Sequence, residues 1–356
     1  MGNDVYRELQ KRLDMYSVGF PATASGIEIA ILKRMFTRED ASLFLALSPI
    51  LETPGAVAER LGTPETEVAA QLSDMAKRGL LFRLKKGDTV RYGAIPFVHG
   101  LYEFQVKRLD KELARMVQSY FDSDFHHNMA KNAGGFLRTI PIRASIPDTR
   151  NVAAYEDAVE ILRQQKTIVV TDCICRKQHE TVGQGCGKPM EACFMFGSMA
   201  QYYLDHGMGR KIDVEEGSAI LEQARDKGLV TQPATAQNPS GMCNCCGDCC
   251  GVLKSLNQYP NPAELVFSNY FAAVHPEDCV GCGTCLDRCE MNAIAMTGEE
   301  TVDIDTNRCI GCGLCVPTCP SQAIALVQKS ENRLKIPPAT SAEQMMNLAV
   351  QRGIRF

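Results

Sequence analysis

Cys279-Val-Gly-Cys282-Gly-Thr-Cys285-Leu-Asp-Arg-Cys289 and Cys309-Ile-Gly-Cys312-Gly-Leu-Cys315-Val-Pro-Thr-Cys319 decide how this chain is read. Every cysteine of the first run recurs 30 positions later in the second, and Gly281, Gly283, Ala293 and Ile294 return as Gly311, Gly313, Ala323 and Ile324. So many residues sharing one offset mark an internal duplication. The C-x2-C-x2-C-x3-C spacing holds a cubane iron–sulfur cluster, with the fourth cysteine ligating the other cube. Three cysteines two residues apart wrap a loop around one cube, and the glycines between them let the backbone turn its N–H groups toward sulfur. The spacing therefore assigns Cys279, Cys282, Cys285 and Cys319 to one [4Fe-4S] cluster. Cys309, Cys312, Cys315 and Cys289 take the second. Zinc needs only two cysteine pairs and no crossed fourth ligand.

These residues closely resemble the bacterial two-cluster ferredoxins over about residues 270–328, roughly a sixth of the chain. The resemblance implies a small pseudo-twofold α+β fold, two low-potential [4Fe-4S] clusters, and electron transfer. One departure is Glu290, where the first repeat would usually carry proline as Pro320 does in the second. It removes a rigid turn and is expected to lower the potential of the second cluster by its charge.

Working outward, 356 residues allow two to three domains, and 45% hydrophobic residues support a packed core. A formal net charge of -4 excludes a generally basic nucleic-acid protein. The first twenty residues, with Asp4, Arg7, Glu8, Lys11, Arg12 and Asp14, lack an apolar export signal, and no window approaches a membrane span. Seventeen cysteines without export read as cytoplasmic metal binding rather than a disulfide framework. Oxygen-labile cubanes point to an anaerobic setting.

The expected architecture is multidomain α+β. Residues 1–96 read as a helical arm plus a winged-helix-like domain, and 97–165 as a helical connector. A cysteine-rich α/β metal-binding domain (166–268), a ferredoxin-like 2[4Fe-4S] domain (269–328) and a tail helix (329–356) complete it. The winged helix-turn-helix rests on three helix starts at Thr37, Thr53 and Thr63-Pro64, stops at Gly62 and Gly79, and a hairpin turning at Lys86-Gly87-Asp88. It resembles the winged-helix domains of transcription regulators. Its third helix offers Glu65, Glu67, Gln71 and Asp74, which phosphates would repel, and only the wing is basic. Protein docking therefore ranks ahead of DNA binding.

Nine further cysteines fall within 78 positions: Cys173, Cys175, Cys186 and Cys193, then Cys243, Cys245, Cys246, Cys249 and Cys250. The strand Lys166–Val170 is expected to deliver Cys173-Ile-Cys175-Arg176 into a loop, and a helix toward Leu204 to begin near Cys193. Nine thiols exceed one structural zinc, so at least one additional iron–sulfur cluster is expected, with zinc as the alternative. Adjacent cysteines point apart, so the pairs 245/246 and 249/250 are not expected all to ligate one ion. The two Cys-Cys-Gly triplets distantly resemble heterodisulfide-reductase catalytic subunits. The layout as a whole resembles uncharacterised 4Fe-4S ferredoxin-domain proteins, from which no activity carries over.

The leading expectation is an electron carrier or electron-relay subunit exchanging electrons with redox partner proteins. A redox- or metal-sensing transcription regulator and an iron–sulfur reductase with a substrate site at the middle centre are the alternatives. No catalytic residue is legible.

Overall fold

The computed structural model describes residues 4–48, 50–123, 125–146, 152–298 and 300–354. Helices dominate the first third: α1 (Val5–Asp14), α2 (Ile27–Met35), α3 (Arg38–Ala46), α4 (Pro54–Leu61) and α5 (Glu65–Lys77). The local chemistry explains each boundary. At α3, Thr37 Oγ1 accepts the Asp40 N–H while the Asp40 carboxylate accepts the Thr37 N–H, a complete capping box. Thr53 caps α4, Pro54 occupies its first turn, and Gly62 ends it at φ +64°, a conformation that suits glycine. A hairpin of β1 (Phe82–Lys86) and β2 (Thr89–Gly93) follows. It packs inward: Arg83 Nη1 pairs with Asp205 at 3.0 Å, and the Phe82 and Tyr202 rings lie 5.2 Å apart.

After α6 (Lys111–Phe121), α7 (Phe125–Phe136) and α8 (Ala158–Arg163) comes a five-stranded antiparallel sheet. Its strands are β3 (Ile168–Asp172), β4 (Glu191–Phe196), β5 (Arg210–Ile212), β6 (Val230–Pro233) and β7 (Gly241–Cys245), in the order β5-β3-β4-β7-β6. Between them run α9 (Ile174–Thr181), α10 (Gly197–Asp205) and α11 (Val214–Asp226). Strand alternation sorts the side chains. Ile168, Val170, Phe194, Phe196 and Met242 form a core with Ile161 and Leu162 of α8. Val169, Cys193, Met195, Cys243 and Cys245 face the main core instead.

Two expectations fail here. Cys173-Ile-Cys175-Arg176 is not a loop: Cys173 is the N-cap of α9 and the helix begins at Ile174. Nor does a helix start near Cys193, because the buried run Ala192–Phe196 is the central strand and α10 waits until Gly197. A short apolar run buried on both faces satisfies its backbone best between two neighbouring strands.

The C-terminal third comprises α12 (Gly251–Asn257), α13 (Pro262–Leu265), β8 (Tyr270–Val274), α14 (Thr284–Arg288), β9 (Ile294–Met296), β10 (Val302–Ile304), β11 (Ile324–Gln328) and α15 (Ser341–Gln351). β8 pairs with β11 and β9 with β10, both antiparallel. The tail returns to the body, with Gln344 Nε2 donating to the Phe136 carbonyl at 2.7 Å. Two arginines dock the repeats. Arg288 donates to the Arg225 and Asp226 carbonyls at the end of α11, and Arg308 to the Asn257 and Tyr259 carbonyls beyond α12. Helix C-termini carry orphan carbonyls and negative partial charge, which a guanidinium satisfies.

Candidate metal centres

Six thiols converge on one cavity. Cys173 and Cys175 reach it from the start of α9, Cys193 from β4, Cys243 and Cys245 from β7, and Cys250 from the residue before α12. The register pairs Cys193 directly with Cys243 across neighbouring strands. Each thiol meets the next in a ring that runs 175, 173, 193, 243, 245, 250. Hydrogen bonds from Cys175 and Cys193 hold the Cys173 thiol well below its ordinary value. Those from Cys193 and Cys245 do the same for Cys243. The donors Cys175, Cys193 and Cys245 are pushed up correspondingly.

The remaining wall of the cavity, which encloses about 60 Å³, is mostly apolar, with Val98, Tyr102, Phe121, Phe136, Met195 and Tyr203. Besides Thr171 and Asp172, His99 and Glu103 supply its polar lining. His99 holds a left-handed φ of +63°, uncommon outside glycine, and its Nε2 is buried without a hydrogen-bond partner. Burial alone would lower the imidazole, but the Cys243 thiolate reverses that and raises it. Burial pushes Glu103 up to about 7, against the opposing pull of His99. Six thiols in such a wall cannot all ionise by themselves, because an isolated buried charge is costly. A bound metal or cluster reverses that and takes thiolates outright. The donor set thus fits an iron–sulfur centre, with more sulfurs than the four that one cluster needs.

Three thiols stand apart from the six. Cys186, Cys246 and Cys249 bring their Sγ atoms within 4.8 Å of one another. The adjacent pairs therefore divide: Cys245 and Cys250 face the cavity, Cys246 and Cys249 the smaller group. Between the groups lies Arg176, only 2% exposed, whose Nη1 bonds the Asn244 carbonyl at 3.1 Å and reaches Cys246 Sγ at 3.9 Å. Its Nε and Nη2 are buried without partners. A hydrogen bond from Cys249, reinforced by Arg176, draws the Cys246 thiol down to about 6.

In the C-terminal repeats the two loops turn through Gly281, Gly283, Gly311 and Gly313, all at positive φ. Cys319 lies beside Cys279, Cys282 and Cys285, and Cys289 beside Cys309, Cys312 and Cys315. Backbone amides already reach sulfur: Ala272 N–H donates to Cys309 Sγ and Ala293 N–H to Cys289 Sγ, each at 3.3 Å. Burial pushes Cys315 up to about 12, again a thiol that only a metal would ionise readily.

Residues 272–326 match the family model of the 4Fe-4S dicluster domain. No curated protein and no solved structure matches the chain.

The dicluster domain is asymmetric in its surroundings. Cys282 is exposed and Val280 is 67% exposed, so the first loop faces solvent. The second packs inward, with the Cys312 carbonyl accepting the Ile142 N–H at 3.0 Å and Cys309 and Cys312 set against the main core. Beyond Cys289, Glu290 reaches across to the three-thiol group. One carboxylate oxygen accepts from Lys188 Nζ and the other from the Gly247 N–H, both at 2.5 Å. Pairing with Lys188 offsets the charge that was expected to depress the second cluster's potential.

His99, Glu103 and the central place of Arg176 escape a reading of the sequence. His99 and Glu103 lie in an irregular stretch after the hairpin, where no periodicity tells which side chains turn inward. His126 and His127 stay outside the centres: His126 bonds the Ser123 carbonyl and His127 the Tyr259 hydroxyl. Among the described residues no helix is long and apolar enough to cross a membrane.

Proposed function

We propose that this chain is an electron-relay protein in which the dicluster domain carries electrons between a soluble redox partner and a buried iron–sulfur centre in the six-thiol cavity. Cys279, Cys282, Cys285 and Cys319 hold the outer [4Fe-4S] cluster, and Cys289, Cys309, Cys312 and Cys315 the inner one. The observation that carries the reading is the contrast between the two loops, one open to solvent and the other packed on the thiol-rich body. A partner can approach the first cluster, and the second is the one next to the interior. When bound, the clusters supply one-electron chemistry at low potential, tuned by amides and burial. The protein's share is to fix the thiols, exclude water from the inner loop and dock the two parts through Arg288, Arg308 and Glu290.

The N-terminal helices and hairpin fit a winged-helix unit used for protein docking. Glu65, Glu67 and Asp74 are exposed on α5, and Arg83 of the wing is already paired with Asp205. That leaves a poor surface for phosphate. A second reading, a reductase acting at the cavity, is favoured by Glu103 and His99 entering the same apolar wall as the six thiols. In that case small molecules would perturb the spectrum of the cavity centre.

Anaerobic potentiometric titration followed by EPR tests the relay. Two interacting reduced clusters plus a third signal are expected, and Cys173→Ser should remove only the third. Absence of any reversible low-potential couple would end the proposal.

A further inference from the structure

We propose that Cys186, Cys246 and Cys249 form a mononuclear zinc site, separate from the iron–sulfur centres, with the fourth coordination position left to solvent. Whether or not the chain relays electrons, three features define this site. First is sulfur spacing. All three Sγ atoms lie within 4.8 Å of one another, and Cys186 and Cys246 are 4.0 Å apart. A tetrahedral ion with ~2.3 Å metal–sulfur bonds sets its thiolates ~3.8 Å apart. A cubane places a different iron under each thiolate, so an iron–iron edge separates them further. A disulfide would require a bond of ~2.05 Å.

Second is the local sequence. Cys246-Gly-Asp-Cys249 is a C-x2-C pair on a tight turn, closed by the Cys250 N–H donating to the Cys246 carbonyl at 3.1 Å. Such a pair plus a distant cysteine is an ordinary zinc donor set. The turn is held from outside, because Glu290 accepts the Gly247 N–H.

Third is charge. The buried Arg176 guanidinium brings its Nη1 to 3.9 Å from Cys246 Sγ while its Nε and Nη2 have no hydrogen-bond partner, so its charge is held beside the trio without a carboxylate among the described residues to offset it. Three thiolates, one divalent ion and Arg176 together are neutral, which relieves the cost of burying any of them alone. No other cysteine, histidine or carboxylate joins the trio among the described residues. Cys246 and Cys249 are buried while Cys186 is partly exposed, so solvent reaches the open position from the Cys186 side. Three protein ligands with one position free is the arrangement of reactive rather than purely structural zinc.

Zinc K-edge X-ray absorption on the full chain, purified anaerobically from cells supplied with both iron and zinc, tests the site. Expected are about one zinc per chain, three sulfurs at ~2.3 Å and one oxygen or nitrogen at ~2.0 Å. Cys186→Ser should replace one sulfur scatterer or weaken zinc retention at least tenfold, leaving the iron content and the EPR of the reduced clusters unchanged. Zinc absent from the wild-type chain, zinc bound by four sulfurs, or a Cys186–Cys246 disulfide found by mass mapping would overturn the proposal. The wild-type spectrum decides alone if the variant fails to fold. A missing redox couple would leave the zinc site standing.

Discussion

Glu290 and Lys188 meet at 2.5 Å in the seam between the dicluster domain and the thiol-rich body, with side chains only 13% and 22% exposed. Glu290 directly follows Cys289, so the ion pair sits beside a thiol assigned to the inner cluster and, through Gly247, beside the three-thiol turn. Asp248 shares the same ammonium at 3.0 Å. Lys188→Ala exposes the inner cluster to uncompensated carboxylate charge and should lower its potential, because adding an electron near a fixed anion is less favourable. Glu290→Gln removes that carboxylate charge while keeping an acceptor for the Gly247 N–H, and should shift the potential the opposite way, upward. Glu290→Ala leaves the Gly247 N–H without its acceptor and should cost about 1–3 kcal/mol in denaturant unfolding.

The two clusters should differ in their resistance to oxygen. Cys282 is exposed in the outer loop, whereas Cys312 of the inner loop is covered by the Ile142 segment. Controlled air exposure followed by anaerobic reduction should abolish the EPR of the outer cluster first, with roughly half of the dicluster iron lost in the early phase. Val280→Glu, at a 67% exposed position, should slow electron exchange with a ferredoxin-sized partner while its solvent-screened charge lowers the outer potential only slightly. Equal decay of both signals would contradict the assignment of an outer and an inner cluster.

Acid should selectively weaken the N-terminal helices through Asp40. Burial would raise this carboxyl, but the Arg78 guanidinium at 2.7 and 2.8 Å, aided by the Thr37 N–H, holds it below the usual carboxylate range. A depressed carboxylate stabilises the fold fully above its unfolded pKa of ~3.9, and that contribution fades as pH falls through the folded value. Asp40→Asn should therefore cost about 2 kcal/mol at pH 7 and much less near pH 3. Urea midpoints of the two proteins, measured at both pH values, check the difference.

How far the sequence could be read depended on what kind of signal each residue carried. The repeat was legible because cluster loops impose spacing on consecutive residues, and Thr37 and Thr53 were legible because caps act over three or four positions. The nine middle cysteines were visible as a group but not as a partition. Cys245 and Cys246 separate by strand alternation at the end of β7, and Cys249 and Cys250 by the turn that follows, which only three-dimensional register reveals. Glu290 was half legible for a related reason. Its charge is plain in the sequence, while its partner Lys188 lies 102 positions away.

Equivalent glycines of the duplicated loops provide the sharpest comparison. Gly283 and Gly313 have φ of +73° and +75°, so either substitution by alanine carries the same left-handed strain, roughly 1–2 kcal/mol. Their surroundings differ. A Cβ on Gly283 meets nothing within 4 Å, whereas one on Gly313 would fall 2.2 Å from Ser145 Oγ and 3.6 Å from Ile142. Ser145 cannot swing freely, since its hydroxyl donates to the Ile142 carbonyl at 2.7 Å, and Ile142 itself donates to Cys312. Gly283→Ala should thus lose no more than the backbone strain and keep both clusters. Gly313→Ala must push the inner loop off the body, so it should lose inner-cluster iron and slow electron passage to the cavity centre while the outer cluster still reduces. Iron counts and stopped-flow reduction of the two variants separate these outcomes, and identical behaviour would show that the inner loop does not depend on its contact with Ser145.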